Sequence, residues 1–250
     1  MTRGPDLFVG LPERIAVHGR SRPNAPALIA GETTLTWQTF ARGAASMSAW
    51  MKAHGIAPGD RVGFLGSHRP WGYPLLAGIL GVGAVFTPFS PLLTPPLIGR
   101  LLRDSRARLL FATADQVEKA KASVAAAGLV DTVAVCVESE IELEFGPASD
   151  ARPARVRPTD PCTQIYSSGT TGTPKGIVHS HDARLAMGLA VAATTRFDGD
   201  ARVLSCIPLH SNGAFIFLLP ALILGGSVVV LERFTAGDWL EAAERHRITH

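Results

Sequence analysis

Tyr166 to Gly176 reads YSSGTTGTPKG. An apolar, strand-like stretch from Cys162 to Tyr166 runs directly into it, and a helix is expected beyond it from about Ala183 to Ala193. The eleven residues hold five Ser or Thr hydroxyls, three glycines and one lysine. Glycine lets backbone N–H groups approach an anion closely, hydroxyls add donors, and lysine supplies a point charge. Pro174 fixes the backbone just before Lys175. That donor set suits a polyphosphate. The plainer alternative is a Gly/Thr loop joining two strands of a hairpin.

Commoner phosphate motifs do not fit. Aligning Gly169 with the first glycine of GxxxxGK[ST] puts Pro174 where the second glycine belongs and Gly176 where Ser or Thr should follow the lysine. The best dinucleotide start, Gly81-Val82-Gly83, meets Phe86 where the third glycine is required. No GxSxG nucleophile elbow is present.

Outward from this segment, strand and helix patterns alternate. Trp37 to Ala53 reads as an amphipathic helix closed by Gly55, Arg61 to Gly66 as a strand, and Trp71 to Leu80 as a helix apolar on all sides. Ala84 to Phe89 is strand-like, Pro95 to Ser105 a helix opened by prolines, Arg108 to Ala112 a strand, Ala114 to Ala127 a helix and Thr132 to Val137 a strand. Residues 138–161, acidic and then rich in Pro and Arg, read as an irregular connection between a first portion, 1–137, and a second, 162–250. In the second portion Arg202 to Ile207 and Ser227 to Leu231 read as strands, and Ala214 to Leu224 and Ala236 to His246 as helices. The final RITH should open the returning strand of a βαβ unit. The expected class is α/β, with stacked mixed or parallel sheets between helix layers.

Composition narrows the function. Of the 24 basic residues 20 are Arg, against 21 acids, and the formal net charge is +3. The densest basic run, Arg100 to Arg108, interleaves Leu and Asp104, which reads as a solvated helix face and not as a nucleic-acid surface. Cys136, Cys162 and Cys206 are far apart with no CxxC, which fits a reducing compartment and a cytoplasmic protein. Two stretches free of Asp, Glu, Lys and Arg, Pro70 to Gly99 and Val203 to Leu231, are broken by Pro and Gly, so they read as buried strands and helices and no membrane span is expected. His179 and His181 form an HxH without a third ligand, so no metal site is expected there. Trp71, Tyr73 and Phe89 read as core, and Cys162 and Cys206 as buried strand residues.

YSSGTTGTPKG closely resembles the phosphate-binding signature of the adenylate-forming (ANL) superfamily, which includes acyl- and aryl-CoA synthetases, nonribosomal adenylation domains and firefly luciferase. The resemblance extends along most of the chain. Leu35 to Phe40 (LTWQTF) is similar to the family's LTYxxL element, Leu80 to Pro91 (LGVGAVFTPFSP) to its kaGAvyvPl-p turn, and Arg106 to Phe111 to the strand after dsga. Ile177 to Ala183 (IVHSHDA) is similar to the stretch that follows the signature. Pro208 to Gly213 (PLHSNG) resembles PLFHxxG with the Pro-to-His spacing one residue shorter.

The resemblance implies activation of a carboxylic acid by Mg-ATP to an acyl-adenylate, then transfer to coenzyme A, with ATP, Mg2+ and CoA as the cofactors. It implies that Ser167, Ser168, Gly169, Thr170, Thr171, Gly172 and Lys175 hold the departing phosphates, that His210 lies at the carboxylate pocket, and that Asn212 and Gly213 shape its wall. No metal ligand is implied within these residues. The family's YGxTE and TGD elements, its hinge and its C-terminal lysine have no counterpart here, so the chain reads as the first half of the large N-terminal domain, inactive in adenylation by itself. A nonribosomal-type adenylation domain or a fatty acyl-AMP ligase loading a carrier protein stays open, as does a non-catalytic nucleotide-binding module. The expected partners are a small carboxylic acid and CoA, and an unpaired sheet edge would allow homo-oligomers.

Overall fold

The computed structural model of the chain describes residues 8–137, 152–167 and 174–250. Helix α1 (Leu11–Ser21) leads into a short hairpin, β1 (Pro26–Ala30) and β2 (Thr33–Thr36), and then helix α2 (Trp37–Ala53). Strands and helices then alternate as β3 (Arg61–Leu65), α3 (Gly72–Gly81), β4 (Val85–Phe89), α4 (Pro95–Ser105), β5 (Ala107–Ala112), α5 (Val117–Ala126) and β6 (Ala134–Val137). The second portion holds β7 (Pro161–Ser167), β8 (Lys175–Ser180), α6 (His181–Thr195), β9 (Arg202–Ser205), α7 (Phe215–Leu224), β10 (Ser227–Val230) and α8 (Ala236–Arg245).

The strands form two mixed sheets. One has the order β6-β5-β3-β4-β7-β8, parallel except for the antiparallel pair β7–β8; the other has the order β2-β1-β10-β9, antiparallel only at β1–β2. Both sheets draw on both portions of the chain. β4 pairs with β7 through Phe86 and Thr163, and β1 pairs with β10 through Leu28 and Val228. Within the connection, 138–151 lies outside the described residues, and 152–160 carries no helix or strand.

Period-2 alternation in the six-stranded sheet feeds two cores. Val62, Phe64, Phe86, Leu109 and Phe111 face the larger core, where they meet residues of α2, α3 and α7 and of the four-stranded sheet. Leu65, Phe89, Leu110 and Ala112 face the other side, where α4 and α5 supply Ile98, Leu101, Leu102, Ala120 and Val124. Gly63 lies on the second face with no room for a side chain, since a Cβ there would lie 2.9 Å from both Leu110 and Phe89.

Local chemistry sets the helix limits. Thr36 caps α2 by accepting from the Thr39 amide at 3.2 Å, and Trp37, Phe40, Ala44, Met47 and Met51 then recur on one buried stripe. The helix α4 starts on Pro95 and Pro96 and stops at Arg106, which adopts left-handed backbone with φ 54°.

Several elements differ from the sequence expectation. Helix α1 and the β1–β2 hairpin were not anticipated, and strand β8 was expected only under the hairpin alternative for the segment. The stretch expected as one helix from Ala114 opens with a 3-10 turn, Ala114–Gln116. RITH forms no strand, yet its backbone already lies along β9: the Thr249 amide donates to the Arg202 carbonyl at 2.9 Å and the Leu204 amide to the His250 carbonyl at 3.1 Å. Asp104 is exposed but not merely solvated, because it accepts a hydrogen bond from Tyr166. Cys162 is buried as expected, whereas Cys206 lies just past β9 and is half-buried. Among the described residues no helix is long and apolar enough to cross a membrane.

Candidate functional site

Strands β7 and β8 hold the two ends of the glycine- and hydroxyl-rich segment opposite each other. Their last register pair is Ser167 with Lys175, both exposed, so a hydroxyl and an ammonium stand on adjacent strands at the mouth of the hairpin. Ser168, Gly169, Thr170, Thr171 and Gly172 lie outside the described residues.

The base of the hairpin is anchored by Tyr166. Its hydroxyl donates to the Asp104 carboxylate at 2.5 Å and accepts from the Gln164 amide at 3.3 Å, and its ring stacks on Phe89 with centroids 6.0 Å apart. Burial, reinforced by the Asp104 carboxylate, raises the phenol above its ordinary range and keeps it a donor. Gly176 pairs with Tyr166, and a Cβ there would fall 2.5 Å from the Gln164 amide nitrogen and 3.0 Å from the tyrosine ring. This glycine is therefore explained by packing under the hairpin.

The PLHSNG stretch is a tight turn. The Ser211 amide donates to the Pro208 carbonyl at 2.9 Å, and the Ser211 hydroxyl accepts from the Gly213 amide at 3.3 Å. A 3-10 turn, Asn212–Ala214, then feeds α7. Leu209 is buried, His210 and Gly213 are half-buried and Asn212 is exposed. Burial alone lowers the His210 imidazole from its ordinary value.

Arg184 joins the hairpin to this turn. It lies fully buried on α6, donates from Nε to Thr163 Oγ1 at 2.8 Å and from Nη1 to Asn212 Oδ1 at 2.9 Å, and sits 4.4 Å over the Phe215 ring. Thr163 is four residues before Ser167, about 13 Å along the same strand. Sequence reasoning missed this arginine. A usable signal was its helical phase, since the buried positions of α6 are His181, Arg184, Gly188 and Ala192.

A second polar group was also missed. His68, in the loop after β3, lies 2.8 Å from the Tyr73 hydroxyl, which lies 2.7 Å from Ser205 Oγ at the end of β9. Burial lowers His68 to about 4, the Leu231 backbone opposing it and nearby His210 adding to it. The network links the carboxyl ends of strands in both sheets, the end at which α/β sheets take ligands. His179 and His181 fall on different elements, β8 and α6, and no third His, Cys, Asp or Glu gathers with them among the described residues.

Residues 15–250 match the model of the family described as AMP-binding enzyme. A feruloyl-CoA synthase from Amycolatopsis sp. is 33% identical over 232 residues, which cover 92% of this chain and 45% of that protein. The chain thus spans about half the length of the curated relatives it matches. The crystal structure of the inhibitor-bound N-terminal domain of FACL13 from Mycobacterium tuberculosis superposes with a TM-score of 0.87 at 23% identity, covering 96% of this chain and 62% of that one. An AMPPNP-bound form of the nonribosomal peptide synthetase FmoA3 gives a TM-score of 0.80 at 25% identity, covering 98% of this chain and 25% of that one. With nearly its whole length matched by that model, the chain belongs to the AMP-binding enzyme family.

Proposed function

We propose that this chain forms the phosphate-holding and acid-facing part of an AMP-forming acid–thiol ligase. In this reading a carboxylate oxygen attacks the α-phosphorus of ATP, the bond to the bridging oxygen breaks, and pyrophosphate leaves. The thiol of coenzyme A then attacks the acyl carbonyl, and AMP departs with its electron pair.

The pairing of Ser167 with Lys175 across the mouth of the signature hairpin carries the proposal. A hydroxyl donor and an ammonium held by neighbouring strands fit the oxygens of a leaving pyrophosphate, with Ser168, Gly169, Thr170, Thr171 and Gly172 completing the cradle. Positioning and electrostatic stabilisation dominate this kind of catalysis, which explains a donor-rich segment without a nucleophile. Magnesium, when it accompanies ATP, neutralises phosphate charge. The described donors at the hairpin mouth are a hydroxyl and an ammonium, which suits an ion carried in on the nucleotide. Half-buried His210 would sit beside the acid's carboxylate, with Asn212 and Gly213 as wall. The name of the Amycolatopsis relative supports CoA as acceptor, and the bound AMPPNP of FmoA3 supports ATP as donor. The name of a fatty acid–acyl-carrier-protein ligase, ScoC from Streptomyces coeruleorubidus, 31% identical over 237 residues that cover 93% of this chain and 43% of that protein, supports a second reading, in which a carrier protein takes the acyl group. A cytoplasmic setting, where ATP and CoA are at hand, goes with either.

The test is calorimetric titration of the chain with Mg-ATP. We expect a saturable signal that Lys175→Ala weakens at least tenfold while leaving the melting midpoint unchanged. Equal binding by wild type and Lys175→Ala would overturn the cradle. On the protein from the complete reading frame, acid-dependent pyrophosphate release followed by CoA or carrier-protein acylation separates the two acceptors.

A further inference from the structure

Arg184 is a cation buried with no ion-pair partner among the described residues. Two of its nitrogens are committed to neutral oxygens, Thr163 Oγ1 and Asn212 Oδ1, its charge rests over the Phe215 face, and Nη2 is buried with no partner. A buried charge is costly unless its bonds are well made, so replacing it by an apolar residue need not cost stability. Fold stability alone therefore does not explain the arginine.

The chemistry of the pair fixes the direction of the neighbouring amide. Guanidinium has donors only, so the Asn212 atom facing it must be the carbonyl oxygen. The Asn212 side chain is exposed, and with Oδ1 turned inward to Arg184 its Nδ2 amino group is the end left to face outward. A charge-assisted bond to an amide oxygen also draws electron density from its nitrogen and strengthens those N–H donors.

We propose that Arg184 is a buried positioning residue that sets acid selectivity: it locks Asn212 with its N–H donors toward the acid pocket, so that acids bearing an acceptor oxygen on the acyl body are preferred over otherwise identical acids without one. The selectivity rests on the reading of Asn212 as pocket wall given under Proposed function; the lock itself does not. Arg184 touches no reacting atom. It acts through Asn212, as an asparagine free to flip would offer donor and acceptor alike.

Two experiments test this. In the 250-residue chain, the Asn212 side-chain amide signals, assigned by their loss in Asn212→Asp, should shift and broaden in Arg184→Met. Unchanged signals would overturn the lock. With the protein from the complete reading frame, kcat/KM is compared for matched acids, such as an alkoxy- or hydroxy-aryl acid and its unsubstituted parent. We expect the oxygenated acid to be favoured at least tenfold in wild type, with the ratio collapsing to within about twofold in Arg184→Met. Asn212→Asp, at an exposed position beside a cation, should keep the fold and also lose the preference, since a carboxylate has no N–H to offer. A ratio that survives Arg184→Met, or two rates that fall by one common factor, contradicts the proposal. Absence of turnover with every acid would instead overturn the ligase reading, and the amide signals would then decide the lock.

Discussion

Helices α3 and α8 are both ten residues long and are held in opposite ways. Every residue of α3 is buried, and the helix has no side-chain cap; no residue of α8 is buried, and Thr235 caps it by accepting from the Asp238 amide at 3.0 Å. Acidic Asp238 in its first turn and basic Arg245 in its last also suit the helix dipole of α8. Tertiary packing alone accounts for α3, wedged against α2 and β4. Local signals account for α8. The contrast predicts where substitutions act through the whole fold and where they act on one helix.

The largest effect should come from the packed helix. Leu76 is 1% exposed, and Leu76→Ala leaves a cavity between α3 and its neighbours. The expected loss is about 3 kcal/mol, within the usual span for buried leucines. For a chain of this size that lowers the midpoint by about 10 °C in a calorimetric melt. A loss below about 1 kcal/mol would mean that the site collapses around the gap and that α3 is less rigidly packed than its burial implies.

Next in size is a dependence on acid. Burial lowers His68 and His181 from 6.5 to about 4 each. For His181, Asp160 and Asp182 oppose that shift without cancelling it. The folded chain therefore holds both imidazoles neutral while the unfolded chain protonates them. The stability they confer is complete above pH 6.5, falls as pH drops below it, and is fully lost only near pH 4. Between pH 7 and pH 5 the loss should be about 2 kcal/mol per histidine. Denaturant midpoints measured across that range should fall, and His181→Gln should remove about 2 kcal/mol of that fall. A flat profile in the wild type would show that both rings find a proton acceptor on folding.

The α3–α8 contrast also marks what the sequence could tell. An uninterrupted apolar run from Trp71 to Leu80 admits no reading but burial, and β3, β4 and β5 were legible for the same reason. Ala236 to His246 correctly read as a helix, but a helical pattern cannot say what covers its apolar side chains, and Leu240 stands 63% exposed. The β1–β2 hairpin was illegible because β2 reads TTLT, three threonines around one leucine with its first two residues exposed, so no apolar run or buried alternation marks it. Strand β8 was hidden by a pattern that exposes both Ile177 and Val178, residues on opposite faces of an edge. At the candidate site, the composition of the signature and the turn-forming PLHSNG were readable. His68 was not, since a histidine in isolation is ordinarily solvated, and Arg184 was readable only as far as its helical phase marks burial, because the three-dimensional packing of β7, α6 and the turn before α7 alone shows what it holds.

Breaking the cap of α8 should be felt locally. Thr235→Ala removes the acceptor for the Asp238 amide, and about 1 kcal/mol of helix stability with it. Amide exchange in the first turn of α8 should quicken roughly fivefold, while the strands of the six-stranded sheet keep their protection. Exchange rising equally in both would show that α8 and the core unfold as one unit.

The smallest effect sharpens the comparison most. Leu240→Lys replaces an exposed apolar side chain on α8 by a charged one, four residues before Glu244 on the same helical face. At a position 63% exposed, stability should change by no more than about 0.5 kcal/mol in a denaturant titration. Lysine loses only an apolar surface that water already reaches, and it gains a weak pairing with Glu244. The same substitution at Leu76 would bury an unpaired ammonium and unfold the chain. A concentration-dependent loss at Leu240 would show that copies of the chain cover this face in solution, and then the opposition between the packed helix and the capped one would hold only for the monomer.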